Sequence, residues 1–162
     1  MVPPADRQGP AMSVRLETDE DRRLESTAIG RIVEHAGEDT RVVALPPFSA
    51  VDYLLIQGRQ VSIGIEIKTR KESVEQIRGY GGLMLKHRKL TEIASLAEML
   101  QIRCFAAFCF DNAQGAILLA EPAKLLSLEP VPPPPRRNYR GLTCDTEPVV
   151  YLDWDSHLVR LT

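Results

Sequence analysis

The chain has 162 residues, 44% of them hydrophobic and 26% charged, with a formal net charge of −2. That length and apolar content predict one soluble domain with a real core. They exclude a protein basic over its whole surface, and no stretch approaches the roughly 18 uninterrupted apolar residues of a membrane span. The N-terminus lacks the basic start and apolar segment of a signal peptide. Cys104, Cys109 and Cys144 show no C-x-x-C spacing, and two of them lie in an apolar run. They read as buried, reduced thiols, which predicts an intracellular, cytoplasmic protein.

Residues 1–16 carry three prolines and little periodicity, the composition of a mobile arm. Thr18 is placed to cap a helix, with Asp19, Glu20 and Asp21 favourable in its first turn. Leu24, Ala28, Ile29, Ile32, Val33 and Ala36 then recur at helical spacing, and Gly37 ends the run. Glu25 lies at the edge of that apolar stripe. Glu34, nine residues on, is about 180° around the helix and faces water. A carboxylate on the core-facing edge needs a partner. Arg41 to Leu45 reads as a short strand, ended by Pro46-Pro47, and Phe48 and Ser49 lead into the next strand.

Ala50 to Gln57 is a second strand. Gln60 to Lys68 alternates strictly, with Val61, Ile63, Ile65 and Ile67 on one face and Ser62, Gly64, Glu66 and Lys68 on the other. Glu66 and Lys68 therefore share a face, about 7 Å apart along the strand, beside small residues that leave open space. Gly58 predicts a hairpin between the two strands. A three-residue loop, Gly58-Arg59-Gln60, sets Asp52 opposite Glu66, with Cβ atoms roughly 5 Å apart; a two-residue loop turns Asp52 to the other face. Two carboxylates that close repel unless a cation lies between them, and oxygen ligands favour Mg²⁺, Mn²⁺ or Ca²⁺.

Glu72 to Lys86 reads as a helix, capped by Ser73, with Gln76 and Tyr80 on one face at i and i+4. Gly79, Gly81 and Gly82 crowd its middle, each costing a helix up to about 1 kcal/mol relative to alanine. Thr91 is placed to cap a further helix with a core stripe at Ile93, Leu96, Ala97 and Leu100. Cys104 to Phe110 is a continuous apolar run, as in a strand buried on both faces. Asp111 to Gly115 reads as a turn, Ala116 to Ala120 as a strand and Glu121 to Leu128 as a short helix. Pro130 and Pro132 to Pro135, followed by Arg136, Arg137 and Arg140, predict a stiff extended segment. Val149 to Trp154 reads as a last strand, packed on the core or on a second subunit. Residues 17–128 form the expected core and 129–162 a Pro/Arg-rich segment with that strand.

From Lys68 to Lys89 the chain carries Lys68, Arg70, Lys71, Arg78, Lys86, Arg88 and Lys89, opposed only by Glu72 and Glu75. A basic run directly after the Glu66-x-Lys68 strand suits a rim that contacts phosphates. His35, His87 and His157 are isolated, and the serines and cysteines have no evident histidine partner. No G-x-x-x-x-G-K-[ST] loop is present, which argues against a bound nucleotide cofactor.

Asp52, then, fourteen positions on, Glu66-Ile67-Lys68 at a strand end, then Gln76-x-x-x-Tyr80 resembles the PD-(D/E)XK nuclease superfamily over roughly residues 17 to 120. The Gln-x-x-x-Tyr pair resembles its RecB-type exonuclease branch. Val51 stands where the family often has proline. The resemblance implies an α/β fold, a three-layer sandwich whose mixed central sheet is flanked by helices, as in restriction endonucleases. It implies hydrolysis of phosphodiester bonds in DNA, by a structure-selective endonuclease like a Holliday junction resolvase. An exonuclease of RecB or phage type, or a non-catalytic nucleic-acid-binding module on the same fold, are the alternatives. Asp52, Glu66 and the Ile67 carbonyl would hold Mg²⁺, with Mn²⁺ able to replace it, and Glu25 would complete the site. Lys68 would orient the attacking water or offset charge on the phosphate. Gln76 and Tyr80 would bond the phosphate or a metal-bound water. Arg70, Lys71, Arg78, Lys86, Arg88 and Lys89 would hold flanking phosphates. The cysteine spacing argues against the iron–sulfur cluster of some RecB-type enzymes, and a homodimer would let two sites cut two strands.

Overall fold

A computed structural model of the protein describes residues 18–110, 116–134 and 147–161. The expected N-terminal arm, the turn at Asp111 to Gly115, Arg136, Arg137, Arg140 and Cys144 lie outside the described residues.

Helix α1 (Asp19–Ala36) starts where the capping residues place it. Thr18 Oγ1 accepts from the Asp21 amide at 3.1 Å, and Asp21 Oδ2 accepts from the Thr18 amide at 3.1 Å, a reciprocal capping box. The helix buries Ala28, Ile29 and Ile32. Strands β1 (Thr40–Ala44), β2 (Tyr53–Gln57) and β3 (Gln60–Arg70) follow as antiparallel neighbours. Strand β5 (Arg103–Phe110) lies parallel to β3, and β6 (Ile117–Ala120) and β8 (Val159–Leu161) complete a mixed six-stranded sheet in the order β1-β2-β3-β5-β6-β8. Helix α1 covers one face through Ala28, Ile29 and Ile32 against Leu55, Ile65, Ile67 and Ala107. The other face carries α3 (His87–Leu100) and a two-stranded sheet of β4 (Leu83–Lys86) and β7 (Val149–Leu152). Leu90, Ile93, Phe108, Phe110, Leu85 and Val150 fill that side. The result is the expected three-layer α/β sandwich. Strand β5, apolar from Cys104 onward, serves both cores: Phe108 and Phe110 on one side, Ala107 and Cys109 on the other. Each buried phenylalanine stabilises the fold by roughly 1.5–3 kcal/mol. Cys104 and Cys109 are buried free thiols, and burial pushes Cys109 up to about 12.

The β2–β3 hairpin differs from expectation in an instructive way. Gln57 pairs with Gln60, so the turn is the two residues Gly58-Arg59. That loop alone would send Asp52 to the wrong face. Farther along, Ile56 pairs with Val61 but Leu55 pairs with Ile63, leaving Ser62 as an extra residue in a β-bulge. Its hydroxyl donates to the Leu55 carbonyl at 3.1 Å. The bulge restores the register of the longer loop: Tyr53 faces Ile65, and the Asp52 amide donates to the Ile65 carbonyl at 2.9 Å. Asp52 ends opposite Glu66.

The expected helix over 72–86 is instead α2 (Val74–Gly79), a turn and strand β4. Gly81 and Gly82 take φ of 91° and 130°, which a helix cannot use. A Cβ on Gly82 would strike the Leu152 carbonyl, so this glycine is what lets the chain approach β7. Helix α3 starts at His87, four residues before Thr91, whose hydroxyl donates back to the Arg88 carbonyl at 2.8 Å within the helix. The expected helix over 121–128 is a single 3₁₀ turn, Pro122–Lys124. Val131 pairs with Val149 in an isolated bridge that lays the proline segment along β7. Among the described residues no helix is long and apolar enough to cross a membrane.

Candidate active site

Strand β3 brings Glu66 and Lys68 to the face covered by α3, since both alternate with Ile65 and Ile67, which pack under α1. The space expected beside them is partly filled. A Cβ on Gly64 would lie 2.7 Å from Cys104 Sγ, so glycine there admits the neighbouring strand's thiol. Glu66 is only 3% exposed. Lys68 Nζ lies 2.6 Å from Glu66 Oε1, and Lys89 Nζ, reaching in from α3, lies 3.3 Å from the same oxygen. The other oxygen, Oε2, is buried and has no hydrogen-bond partner among the described residues. Burial raises the Glu66 carboxyl above its ordinary value; Lys68 opposes that rise, and the nearby Asp52 charge adds to it. Asp52 Oδ2 accepts from the Ile67 amide at 2.7 Å, which fixes its carboxylate at the end of the hairpin.

A buried carboxylate oxygen without a donor, beside a second carboxylate, suits a hard cation. Asp52, Glu66 and the carbonyl of Ile67 are the groups this corner offers. Lys68 and Lys89 supply compensating positive charge on the far oxygen of Glu66.

The remaining expected residues divide. Glu25 does not join Asp52 and Glu66. Its Oε1 accepts from the Tyr53 hydroxyl at 2.6 Å on the α1 side of the sheet, whereas Glu66 faces α3. Among the described residues, no group of three or more His, Cys, Asp and Glu side chains is arranged to hold a metal ion. On the same helix as Glu25, Glu20 pairs at 3.6 Å with Lys71, the residue just past the end of β3. The Gln76 side chain caps the helix: its Oε1 accepts from the Ser73 backbone amide at 2.8 Å, and the Gln76 backbone amide donates to Ser73 Oγ at 3.2 Å. Tyr80 is 63% exposed at the end of α2 and lines a groove of about 860 Å³ together with Lys68, Lys71, Lys86, Arg88 and Lys89.

The basic residues are not equivalent. Arg70 is structural in part: it donates to the Thr69 and Met84 carbonyls at 3.0 and 3.2 Å and stacks over Phe108. Arg78 sits over Trp154 and pairs with Asp155 at 3.8 Å. Lys86 and Arg88 both pair with Glu147, at 2.6 and 3.2 Å, and Lys86 foremost holds that carboxyl below its ordinary value. Lys89, expected on the rim, lies beside Glu66. Besides Glu66 it donates to the Ser49 and Ala50 carbonyls at 3.3 and 3.4 Å, just upstream of Asp52. Its position three residues past β4, on the inward face of α3, is what the basic run concealed.

No curated protein sequence matches this chain. Its fold is similar to Hjc, a Holliday junction resolvase from the archaeal hyperthermophile Archaeoglobus fulgidus. The TM-score is 0.53 at 17% identity, over 85% of this chain and 87% of that one. The family model for phage PDDEXK endonucleases matches residues 12–158, nearly the whole chain and all of the site just described. The chain therefore belongs to the phage PDDEXK endonuclease family.

Proposed function

We propose that this nuclease is a divalent-metal-dependent endonuclease that cuts DNA at branches or other interruptions of the duplex. The observation that carries the metal dependence is Glu66: a buried carboxylate with one oxygen held by two lysines and the other without a donor, across from Asp52. Asp52, Glu66 and the Ile67 carbonyl would hold Mg²⁺, or Mn²⁺ in its place. When bound, such a cation polarises the scissile phosphate and acidifies a water. Lys68 places its ammonium at the mouth of the site, where it orients the attacking water and offsets charge developing on the phosphate oxygens. Tyr80, Lys86 and Arg88 line the groove along which the flanking backbone runs. Lys71 and Arg78 extend the same basic surface, and these contacts carry affinity more than sequence preference. Glu25 holds Tyr53 and the helix α1 against the sheet, outside the chemistry.

The RecB-type exonuclease reading loses support because Gln76 turns its oxygen to the helix cap. The similarity to a Holliday junction resolvase favours branched DNA, and a homodimer would place one site on each of two strands. The test is incubation of the purified chain with Mg²⁺ or Mn²⁺ and a four-way junction, a flap, a linear duplex and single-stranded DNA. Cleavage strongest on the junction or flap, and abolished by EDTA, is expected. No cleavage of any substrate with either metal would contradict the proposal.

A further inference from the structure

Phe48 is the most exposed large apolar side chain among the described residues, at 104% relative accessibility, with φ of 67°. It stands at the third position of the turn Pro46-Pro47-Phe48-Ser49, closed by the Ser49 amide donating to the Pro46 carbonyl at 3.3 Å. Proline at the second position and a positive φ at the third are the pattern of a type II turn, whose third position favours glycine or asparagine. A phenylalanine there is strained and, fully exposed, is not compensated by packing against the described residues. The fold would be better served by glycine. Strain of this kind collects at functional sites.

The turn is also tied to the corner that holds Asp52 and Glu66. The Leu45 amide donates to the Asp52 carbonyl at 2.8 Å, closing the loop at its base. Lys89 grips the Ser49 and Ala50 carbonyls while contacting Glu66. Ser49 Oγ donates to the Pro46 carbonyl at 2.7 Å. Phe48 is thus an aromatic ring held in water, four residues from Asp52, by a stiff loop sharing its anchor with the site.

We infer that Phe48 stacks on a base exposed by an interruption in the DNA next to the scissile phosphate, and so determines which DNA is cut. This rests on the nuclease reading above and names its substrate class: DNA with an unpaired base or an open step, in preference to continuous duplex. Aromatic side chains stack on unpaired bases of any sequence, and apolar wedges enter weakened base steps. A second copy of the chain is the poorer occupant. One phenylalanine offers about 200 Å², well short of the roughly 800 Å² per partner of a stable protein interface.

The experiment compares wild type, Phe48→Gly and Phe48→Trp on a flap and on a continuous duplex of the same sequence. In metal-free buffer, 2-aminopurine at the unpaired position reports stacking. Phe48→Gly should lose about five- to a hundredfold more kcat/KM on the flap than on the duplex, and should lose the 2-aminopurine quenching. Phe48→Trp should keep both. The melting temperature of Phe48→Gly should equal or exceed that of wild type. An equal loss on both substrates, no loss, or a lower melting temperature would overturn the inference, as would a dimer-to-monomer shift on sedimentation. Wild type that cuts no DNA overturns the nuclease reading along with it, whereas an active wild type with unchanged preference in Phe48→Gly overturns this inference alone.

Discussion

Replacing Lys89 by alanine removes an ammonium shared among four partners, the most distant of them Glu92 at 4.0 Å. Its ammonium is held by the Ser49 and Ala50 carbonyls at 3.3 and 3.4 Å and by Glu66 Oε1 at 3.3 Å, and its side chain is only 22% exposed. A hydrogen bond from a charged group contributes about 1.5–3 kcal/mol at good geometry. These carbonyl bonds are long, so about 0.5 kcal/mol each is a fair share. Losing one cation from a buried carboxylate costs several kcal/mol when it is the sole partner. Here Lys68 stays at 2.6 Å, which leaves a loss of about 1 kcal/mol. The total is about 2 kcal/mol, and for a domain of this size it should lower Tm by about 4–8 °C. Thermal unfolding in metal-free buffer, with Arg88→Ala as the comparison, reads it directly. Arg88 pairs only at the surface, with Glu92 and Glu147, so its loss should leave Tm close to wild type. A Lys89→Ala protein that melts with wild type, while the salt slope of DNA binding falls by about 0.9, would return Lys89 to the phosphate rim.

Glu147 neutralises Lys86 and Arg88 on the groove, so Glu147→Gln should tighten DNA binding and steepen its salt dependence. Lys86→Ala with Arg88→Ala should weaken binding and flatten the slope by up to about 2, read by fluorescence anisotropy against salt. Gly82→Ala combines a positive φ with a collision at the Leu152 carbonyl. It should destabilise the chain by more than about 1 kcal/mol, seen as a lower urea midpoint. Glu121 is held down to about 2, first by its hydrogen bonds from Arg103 at 3.0 and 2.9 Å and then by Lys124. A lowered carboxyl binds protons more weakly when folded. Its stabilisation is therefore full above about pH 4.5 and lost as pH falls toward 2. Glu121→Gln should flatten that part of the stability–pH curve, by at most about 1 kcal/mol because solvent screens the pair.

The centre of the site was legible because it lies on a long alternating strand: period-two patterning alone puts Glu66 and Lys68 on one face. The pairing of Asp52 with Glu66 came out as expected for a reason the residues hide. A shorter turn and a bulge at Ser62 cancel, and Ser62 fits the alternation whether or not it bulges. Gly79, Gly81 and Gly82 signalled trouble in the helix over 72–86. They did not reveal β4, whose partner β7 lies more than sixty residues away, because such pairing leaves no local pattern. The positions of Glu25 and Lys89 were illegible for the same cause: which side of the sheet a helix covers is a tertiary fact. Amphipathic spacing shows that Glu25 borders the core but not which core. Phe48 read as a lead-in to a strand, since the strain at that position lies in a dihedral angle.

The most direct test of the account is cleavage of one DNA flap in Mg²⁺ by four purified proteins: wild type, Asp52→Asn, Glu66→Gln and Glu25→Gln. Asparagine keeps an oxygen for the Ile67 amide, and glutamine keeps the shape of each glutamate, so all four should fold. Wild type and Glu25→Gln should cut, while Asp52→Asn and Glu66→Gln should not. Full activity in either of those two, or an inactive Glu25→Gln beside an active Asp52→Asn, would place the chemistry elsewhere on the fold.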